Sequence, residues 1–411
     1  MQDLPRIALV GIHGYGAHQR RIIANLEASG RARLVALADP RPPDADSPDA
    51  PSSDRPGVPW FPDLRALLDA SAADPTTRPD VVVVATPIHT HADLATLALR
   101  AGADVLLEKP PTASLDELDR LLGTAAEAGR EVQVGFQTFG SAALDVVHDA
   151  VRAGELGDVT DVGAVGTWVR AESYFTRADW AGRRALGGRP VVDGVVTNPL
   201  AHAVATALHL AGARTTDDVA TVELDQYRAN DIEADDTSAV RVVTTDGIRV
   251  TLGLTLCAAE HADPIVTVRG TRGTATLDYY ADTVTFRAAD GSGERTVAAA
   301  RTNLLANLLD HRADPAVPLL APLRGTGAFM RVLDAVRAAP DPTPIAPEHV
   351  DVVQDDADTR GDGGPRRVVR DVAAWCQRVA AQGATFAELG APFARPVGPA
   401  DPTRPAREVT A

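Results

Sequence analysis

Lysine is almost absent from this chain: of 40 basic residues, 39 are arginine and one, Lys109, is lysine. Arginine is planar, bulky and always charged, whereas lysine is a compact donor that loses its proton readily when desolvated. A lone lysine among arginines invites a chemical explanation, beside the plainer reading of a chance leftover on the surface. Cysteine is also scarce, at two residues. Cys257 and Cys376 stand far apart with no metal-type spacing, which argues against a disulfide framework or a zinc site and leaves both as apolar fillers. Apolar runs fall far short of the roughly 20 residues a membrane span needs. The N-terminus reaches a β-type run without the basic and apolar segments of a secretory signal. A cytoplasmic protein with no membrane partner is expected. A net charge of −16, with no basic arm or aromatic-basic stripe, argues against nucleic acid as a partner.

What remains is the composition of a folded enzyme, 45% apolar and 23% charged in 411 residues, more than one hydrophobic core normally organises. Two α/β domains are predicted, residues 1–138 and 139–340, followed by a partly irregular C-terminal extension, 341–411. In the first, the runs at 6–10, 34–38, 81–85, 105–107 and 132–134 are continuously apolar, as suits parallel strands buried on both faces. Between them, Ile22, Ile23 and Leu26 share one helical face, and Leu94, Leu97 and Ala101 another. Residues 40–59, rich in Pro, Asp and Ser, read as an irregular surface excursion. Beyond about residue 155, alternating runs at 220–224, 239–243 and 248–252 predict an open, largely antiparallel sheet, with Asp246-Gly247 turning a hairpin. Runs at 264–269, 273–278 and 282–287 extend that sheet, and helices near 303–312 and 325–338 are placed to pack back on the first domain. The stretch 340–365 reads as a polar loop, and the last dozen residues as frayed.

The first strand runs into Gly11-Ile12-His13-Gly14-Tyr15-Gly16 and then a helix, the context of a dinucleotide-binding turn. Glycines there permit a tight turn and close approach of backbone N–H groups to pyrophosphate, whose charge favours a helix N-terminus. His13 occupies the second glycine position, with Gly14 beside it; His13 and His18 either contact phosphates or solvate the loop. Asp39 ends the second strand, where a carboxylate that accepts ribose hydroxyls belongs, and favours NAD; the plainer reading is a cap before Pro40. Arg41, two residues on, is suited to a 2′-phosphate, so NADP stays open.

Two further stretches carry the chemistry. Thr86-Pro87-Ile88-His89-Thr90-His91 is followed by a helix and then by Ala101-Gly102-Ala103-Asp104-Val105-Leu106-Leu107-Glu108-Lys109-Pro110. This resembles the glucose-fructose oxidoreductase/inositol dehydrogenase family (Gfo/Idh/MocA), whose members carry a T-P-x-x-x-H turn and, one helix later, an A-G-x-x-V-x-x-E-K-P strand end. The similarity is clear over the first 155 residues and looser to about residue 340. It implies an N-terminal Rossmann domain that binds NAD, or NADP, through Gly11, His13, Gly14, Tyr15, Gly16, Asp39, Thr86, Pro87, His91, Glu108 and Lys109. Lys109 is implied to reach nicotinamide and substrate, with Glu108 positioning the site, and Pro110 makes the preceding peptide bond a candidate for cis geometry. In the family an Asp and a His four residues apart begin a second-domain helix; aligning His202 with that histidine places Asn198 at the aspartate. Asn orients a hydroxyl but accepts no proton, which leaves general-base work to His202 and Lys109. Asp193 either substitutes for the missing carboxylate or is a plain loop residue.

Arg170 is a further candidate for substrate contact, within a segment that also offers Trp168, Tyr174, Trp180 and Arg183; an arginine with aromatics suits an acidic sugar or a stacked ring. The resemblance implies oxidation or reduction at a secondary alcohol or ketone of a sugar, sugar acid or cyclitol, with catalytic Lys109, His202 and Asn198 and no metal. Two alternatives stand beside it: an NAD-dependent glycosidase of the same fold, and a non-catalytic NAD(P)-binding regulator. A homo-oligomer, dimer or tetramer, is expected from pairing of the free face of the second sheet across a two-fold axis.

Overall fold

Short β-branched runs alternating with amphipathic helices build the first sheet. A computed structural model describes residues 4–44, 57–355 and 364–394; of the stretch 40–59, residues 45–56 lie outside these, as do the last dozen residues. Strands β1 (Arg6–Val10), β2 (Arg33–Ala38), β3 (Trp60–Phe61), β4 (Val81–Val84), β5 (Asp104–Leu107) and β6 (Val132–Val134) form one parallel sheet in the order 3-2-1-4-5-6. Helices α1 (Tyr15–Ala28), α2 (Leu64–Ala73), α3 (His91–Arg100) and α4 (Leu115–Ala128) connect them. The burial is that of a doubly covered sheet: all four valines of β4 are fully buried. Local signals fix the helix ends. Asp63 accepts from the Ala66 N–H to start α2, Ser114 from the Glu117 N–H to start α4, and Gly129 closes α4 in the left-handed region. Strand order reverses between β1 and β4, the switch point where open α/β sheets bind ligands.

The chain then leaves through α5 (Ala143–Arg152) into β7 (Val159–Val169), the short hairpin β8 (Ala185–Leu186) and β9 (Arg189–Pro190), and the buried helix α6 (Ala201–Leu210). Seven strands follow: β10 (Val219–Arg228), β11 (Thr237–Thr244), β12 (Arg249–Thr255), β13 (Cys257–Gly270), β14 (Gly273–Asp278), β15 (Thr283–Ala288) and β16 (Glu294–Ala298). With β17 (Thr343–Pro344) these make a nine-stranded sheet in the order 16-15-14-13-7-12-11-10-17, antiparallel except where β7 meets β12 and β10 meets β17. The hairpin at Asp246-Gly247 forms, with Gly247 at φ 85°. Helices α7 (Leu304–Ala313) and α8 (Gly327–Ala338) return to the first domain. Gln133 of β6 donates to the Leu304 carbonyl and to Asn307, and Arg312 pairs with Asp80 and Asp104.

Two expectations are corrected. The stretch 340–365 is not a loop: besides β17 it holds β18 (Val350–Asp355), which pairs with β19 (Gly364–Val369), residues 356–363 lying outside the described residues. Nor is one face of the second sheet left wholly free. Helix α6 covers one side, Leu200 packing where Gly166 leaves room, while α9 (Val372–Gln382) seats on the other. That seat depends on glycine: a Cβ at Gly163 would lie 2.5 Å from the Ala380 carbonyl oxygen, and one at Gly253 2.4 Å from that of Cys376. Val372, Cys376, Val379 and Phe386 complete a second buried core there with Tyr227 and Ala239. On this side Glu223 of β10 and Ile265 of β13 are exposed, and β14–β16 present the half-buried or exposed row Thr276, Thr285 and Thr296.

Candidate active site

The turn after β1 is shaped by two close approaches. A Cβ at Gly11 (φ 81°) would stand 2.4 Å from the Ala85 carbonyl oxygen, and one at Gly16 would stand 1.9 Å from that of Gly11. At Gly14 (φ 57°) nothing lies within 4 Å of the Cβ position, so the turn is open on the side where a pyrophosphate would meet backbone N–H groups. Asp39 sits at the end of β2 with its carboxylate accepting the N–H groups of Ile12 (3.0 Å) and Arg41 (2.9 Å). The His13 Nε2 lies 4.0 Å from Asp39 and has no hydrogen-bond partner. The glycine cradle and the carboxylate at the end of β2 fit a dinucleotide, with Asp39 toward its ribose. His18 turns instead toward Arg21.

Thr86 and Pro87 leave β4, and Glu108 and Lys109 leave β5, on the same edge of the sheet. The Lys109–Pro110 bond is cis. His91 is buried, and its two ring nitrogens each meet a backbone carbonyl at 2.7 Å, those of Pro110 and Thr86. It therefore ties the two strand ends together and has no free atom for a cofactor, unlike its expected role. Glu108 is buried, accepts from Gln19 at 2.6 Å, and has its pKa pushed up by burial against the pull of Lys109. Burial in turn draws the Lys109 ammonium down toward neutrality, opposed by the charges of Glu108 and Asp193.

Across the cleft, Lys109 Nζ donates to the Asn198 side-chain oxygen (2.6 Å) and to the Asn198 backbone carbonyl (2.8 Å). His202, at the start of α6, faces the cleft. Its Nδ1 has no partner, and burial, together with the cations Lys109 and Arg301, lowers its pKa to about 3. Asp193 is buried and accepts from Arg177 (3.0 and 3.2 Å), from the Gly182 N–H (2.8 Å) and from the Asn198 amide. The Asp193 carboxylate has no vacant position to offer a substrate, contrary to one of its expected roles. Arg177 lies 3.7 Å over Tyr174 and 4.6 Å over Trp180. Arg170 lies over Trp168 and Tyr174 behind this wall, and does not line the cleft.

These parts enclose one cleft of about 1440 Å³ between the switch point and the second sheet. Gly11, His13, Gly14, Tyr15, Asp39, Thr86, Pro87, Glu108, Lys109, Asp193, Asn198 and His202 all line it. Gly16 acts from behind by packing, and Arg183 is exposed outside. Sequence reasoning missed Arg177, Gln137, Tyr279, Tyr280 and Arg301, which also line it. Arg177, in Tyr174-Phe175-Thr176-Arg177-Ala178-Asp179-Trp180, carried a signal in its aromatic neighbours; Tyr279 and Arg301 come from a distant turn and carried none.

Comparison with known proteins agrees with this architecture. Residues 6–136 match the Gfo/Idh/MocA oxidoreductase family model for an NAD-binding Rossmann fold, and residues 145–276 match a C-terminal domain model of the same family. Inositol 2-dehydrogenase 1 of Saccharopolyspora erythraea is 32% identical over 173 residues, 42% of this chain and 48% of that protein. A dTDP-3,4-didehydro-2,6-dideoxy-alpha-D-glucose 3-reductase of Streptomyces violaceoruber is 39% identical over 85 residues, 21% of this chain and 25% of that protein. The chain thus spans about half, or less, of the length of these relatives. Among solved structures, the WlbA dehydrogenase of Bordetella pertussis, in complex with NADH and UDP-GlcNAcA, superposes with a TM-score of 0.64 at 21% identity, over 84% of this chain and all of that one. That likeness shows the fold. No helix among the described residues is long and apolar enough to cross a membrane. With both domain models together matching more than half of its length, the chain belongs to the Gfo/Idh/MocA oxidoreductase family, and its N-terminal domain is that family's NAD-binding Rossmann fold.

Proposed function

We propose that this protein is an NAD-dependent dehydrogenase acting on a secondary alcohol or ketone of a sugar, sugar acid or cyclitol. The observation that carries the reading is the position of the single lysine. Lys109 leaves β5 at the edge where the glycine turn and Asp39 also converge, and its amine reaches Asn198 of the second domain. Bound NAD would supply the hydride acceptor; Gly11 and Gly14 would receive its pyrophosphate and Asp39 its ribose hydroxyls. The chain's own contribution is alignment and proton handling. A proton-transfer group works best with a pKa near the working pH. Burial moves Lys109 in that direction, whereas His202, at about 3, stays neutral and weakly basic. Lys109 is therefore the group that takes the hydroxyl proton in oxidation. The unpartnered His202 Nδ1 is free to hold a substrate hydroxyl. Asn198 has its amide oxygen on Lys109 and its amide nitrogen on Asp193, so it positions Lys109 more than it holds substrate. Trp168, Tyr174 and Trp180 line the cleft with Arg170 and Arg177 stacked on their rings. The named relatives, an inositol dehydrogenase and a deoxysugar reductase, support this substrate class.

We place the enzyme in the cytoplasm, where a nicotinamide pool is at hand and the free thiols Cys257 and Cys376 stay reduced. For assembly we propose a homo-oligomer joined through the β14–β16 end of the sheet, since α9 seats on β7 and β12 at its centre. The test of function is NAD reduction across a panel of cyclitols, aldoses, sugar acids and glycosides, together with calorimetric titration of NAD and NADP. Neither cofactor binding at millimolar concentration would sink the proposal. Glycoside cleavage without NADH accumulation would install the glycosidase instead, and tight cofactor binding with no turnover the regulator.

A further inference from the structure

We propose that Asp193 and Arg177 are positioning residues for Lys109: Asp193 holds the Asn198 amide with its oxygen turned to the amine, and supplies from one residue further out the carboxylate charge that the family resemblance places at position 198. This rests on the dehydrogenase reading for its catalytic consequence, but not for its geometry.

The amide orientation follows from what its neighbours are able to do. An ammonium only donates, so the Asn198 atom facing Lys109 Nζ is oxygen. An ionised carboxylate only accepts, so the atom facing Asp193 is nitrogen. Asp193 is paired with Arg177 and accepts from the Gly182 N–H. The backbone is bent to place it: Val192, just before it, sits at φ 45°, a region a β-branched side chain rarely adopts. Hydrogen bonds secure that bend, from the Val192 N–H to the Arg184 carbonyl and from the Thr197 hydroxyl to the Val192 carbonyl. A loop residue with no task would relax from such a conformation.

The charged and titratable groups around Lys109 are Glu108 beside it, His91 under the strand end, His202 from α6, and Asp193 and Arg177 from the second-domain loop. Asp193 favours the protonated amine and Arg177 disfavours it. Removing the one and removing the other must therefore move the titration of Lys109 in opposite directions.

Because Lys109 is the chain's only lysine, labelling with ¹³C-lysine gives a single Cε resonance that reports its titration without any substrate. Asp193→Asn should lower the midpoint by on the order of one pH unit, and Arg177→Met should raise it. Midpoints unmoved in both variants overturn the proposal even if the enzyme turns over. Arg177 is partly exposed, so its variant stands if Asp193→Asn fails to fold. With an active substrate, Asp193→Asn and Asn198→Asp should each lower kcat about tenfold or more with little change in NAD affinity. The double variant Asp193→Asn/Asn198→Asp, which returns the carboxylate to position 198, should recover most of it. A double variant no better than its worse parent also overturns the proposal. Absence of turnover in the parent chain, with the opposite shifts present, would count against the dehydrogenase reading alone.

Discussion

Replacing Lys109 by arginine separates chemistry from charge. The amine now makes two short contacts, at 2.6 and 2.8 Å, to oxygens of a single residue, Asn198. A guanidinium keeps the positive charge and can donate, but it is planar, broader, and does not titrate in the working range. If Lys109 takes the substrate proton, Lys109→Arg should lower kcat by about 10²-fold or more, at least about 2.7 kcal/mol of barrier, while NADH affinity measured by fluorescence titration changes by no more than about twofold. The pH profile supplies the sign. The neutral amine is the base, so oxidation should accelerate as pH rises through the lowered pKa of Lys109, and the variant should lose that rising limb. His202→Ala should keep the limb, because an imidazole with a pKa of about 3 does not titrate there. Near-normal turnover of Lys109→Arg with its alkaline limb intact would refute the assignment.

Asp39→Ala removes the carboxylate at the end of β2 and should relax the preference for NAD over NADP; calorimetry with both cofactors reads it, and unchanged discrimination would move the determinant to Arg41. Gly16→Ala sets a methyl 1.9 Å from a backbone oxygen and should weaken NAD binding at least about tenfold, since the turn must open to admit it. Gly253→Val drives a side chain into the α9 backbone at Cys376, an overpacking of about 1–3 kcal/mol or more, which should lower Tm by several degrees in calorimetry; an unchanged Tm would mean that α9 does not seat there. Thr276→Arg, in the uncovered row on β14–β16, should reduce the mass found by light scattering if that face joins subunits, and an unaltered mass places the contact elsewhere.

The parallel sheet was legible because its signal is local. Five short apolar runs, each followed by an amphipathic stretch, specify buried strands and their covering helices, and a glycine-rich turn after the first marks the switch point. The antiparallel strands were legible for a similar reason, alternation with a period of two and a hairpin at Asp246-Gly247. What escaped depended on partners distant in sequence. Helix α9 is held by Gly163 and Gly253, more than a hundred residues away, and nothing near Val372 announces that docking. The same holds in the site. Lys109, Asn198 and His202 were found by register, but Arg177 matters only through Asp193 and the aromatic rings it touches, and His91 looked like a ligand-binding residue until both of its nitrogens were found on backbone carbonyls.

The asparagine at 198 bears on whether this site is a working one. A buried ammonium needs a compensating charge, and Glu108 alone is a poor source because burial pushes its own pKa up. Asp193 supplies the second charge, but a carboxylate at position 198 would then face it directly, and two carboxylates at hydrogen-bond distance do not both stay ionised. A side-chain amide resolves the conflict, since it accepts from the ammonium and donates to the carboxylate at once. On the proposed reading, Asn198 is thus complementary to Asp193. A site drifting toward a purely regulatory role would be under no such constraint, and would not hold Val192 in a strained conformation to keep the carboxylate in place. Meanwhile, among the described residues, three buried polar atoms of cleft-lining residues, His13 Nε2, His202 Nδ1 and Trp168 Nε1, are left without partners. Asn198 and Asp193 are bonded to Lys109 and to each other, whereas His202 Nδ1 and Trp168 Nε1 are where, on the proposed reading, a polyhydroxylated substrate would find hydrogen bonds.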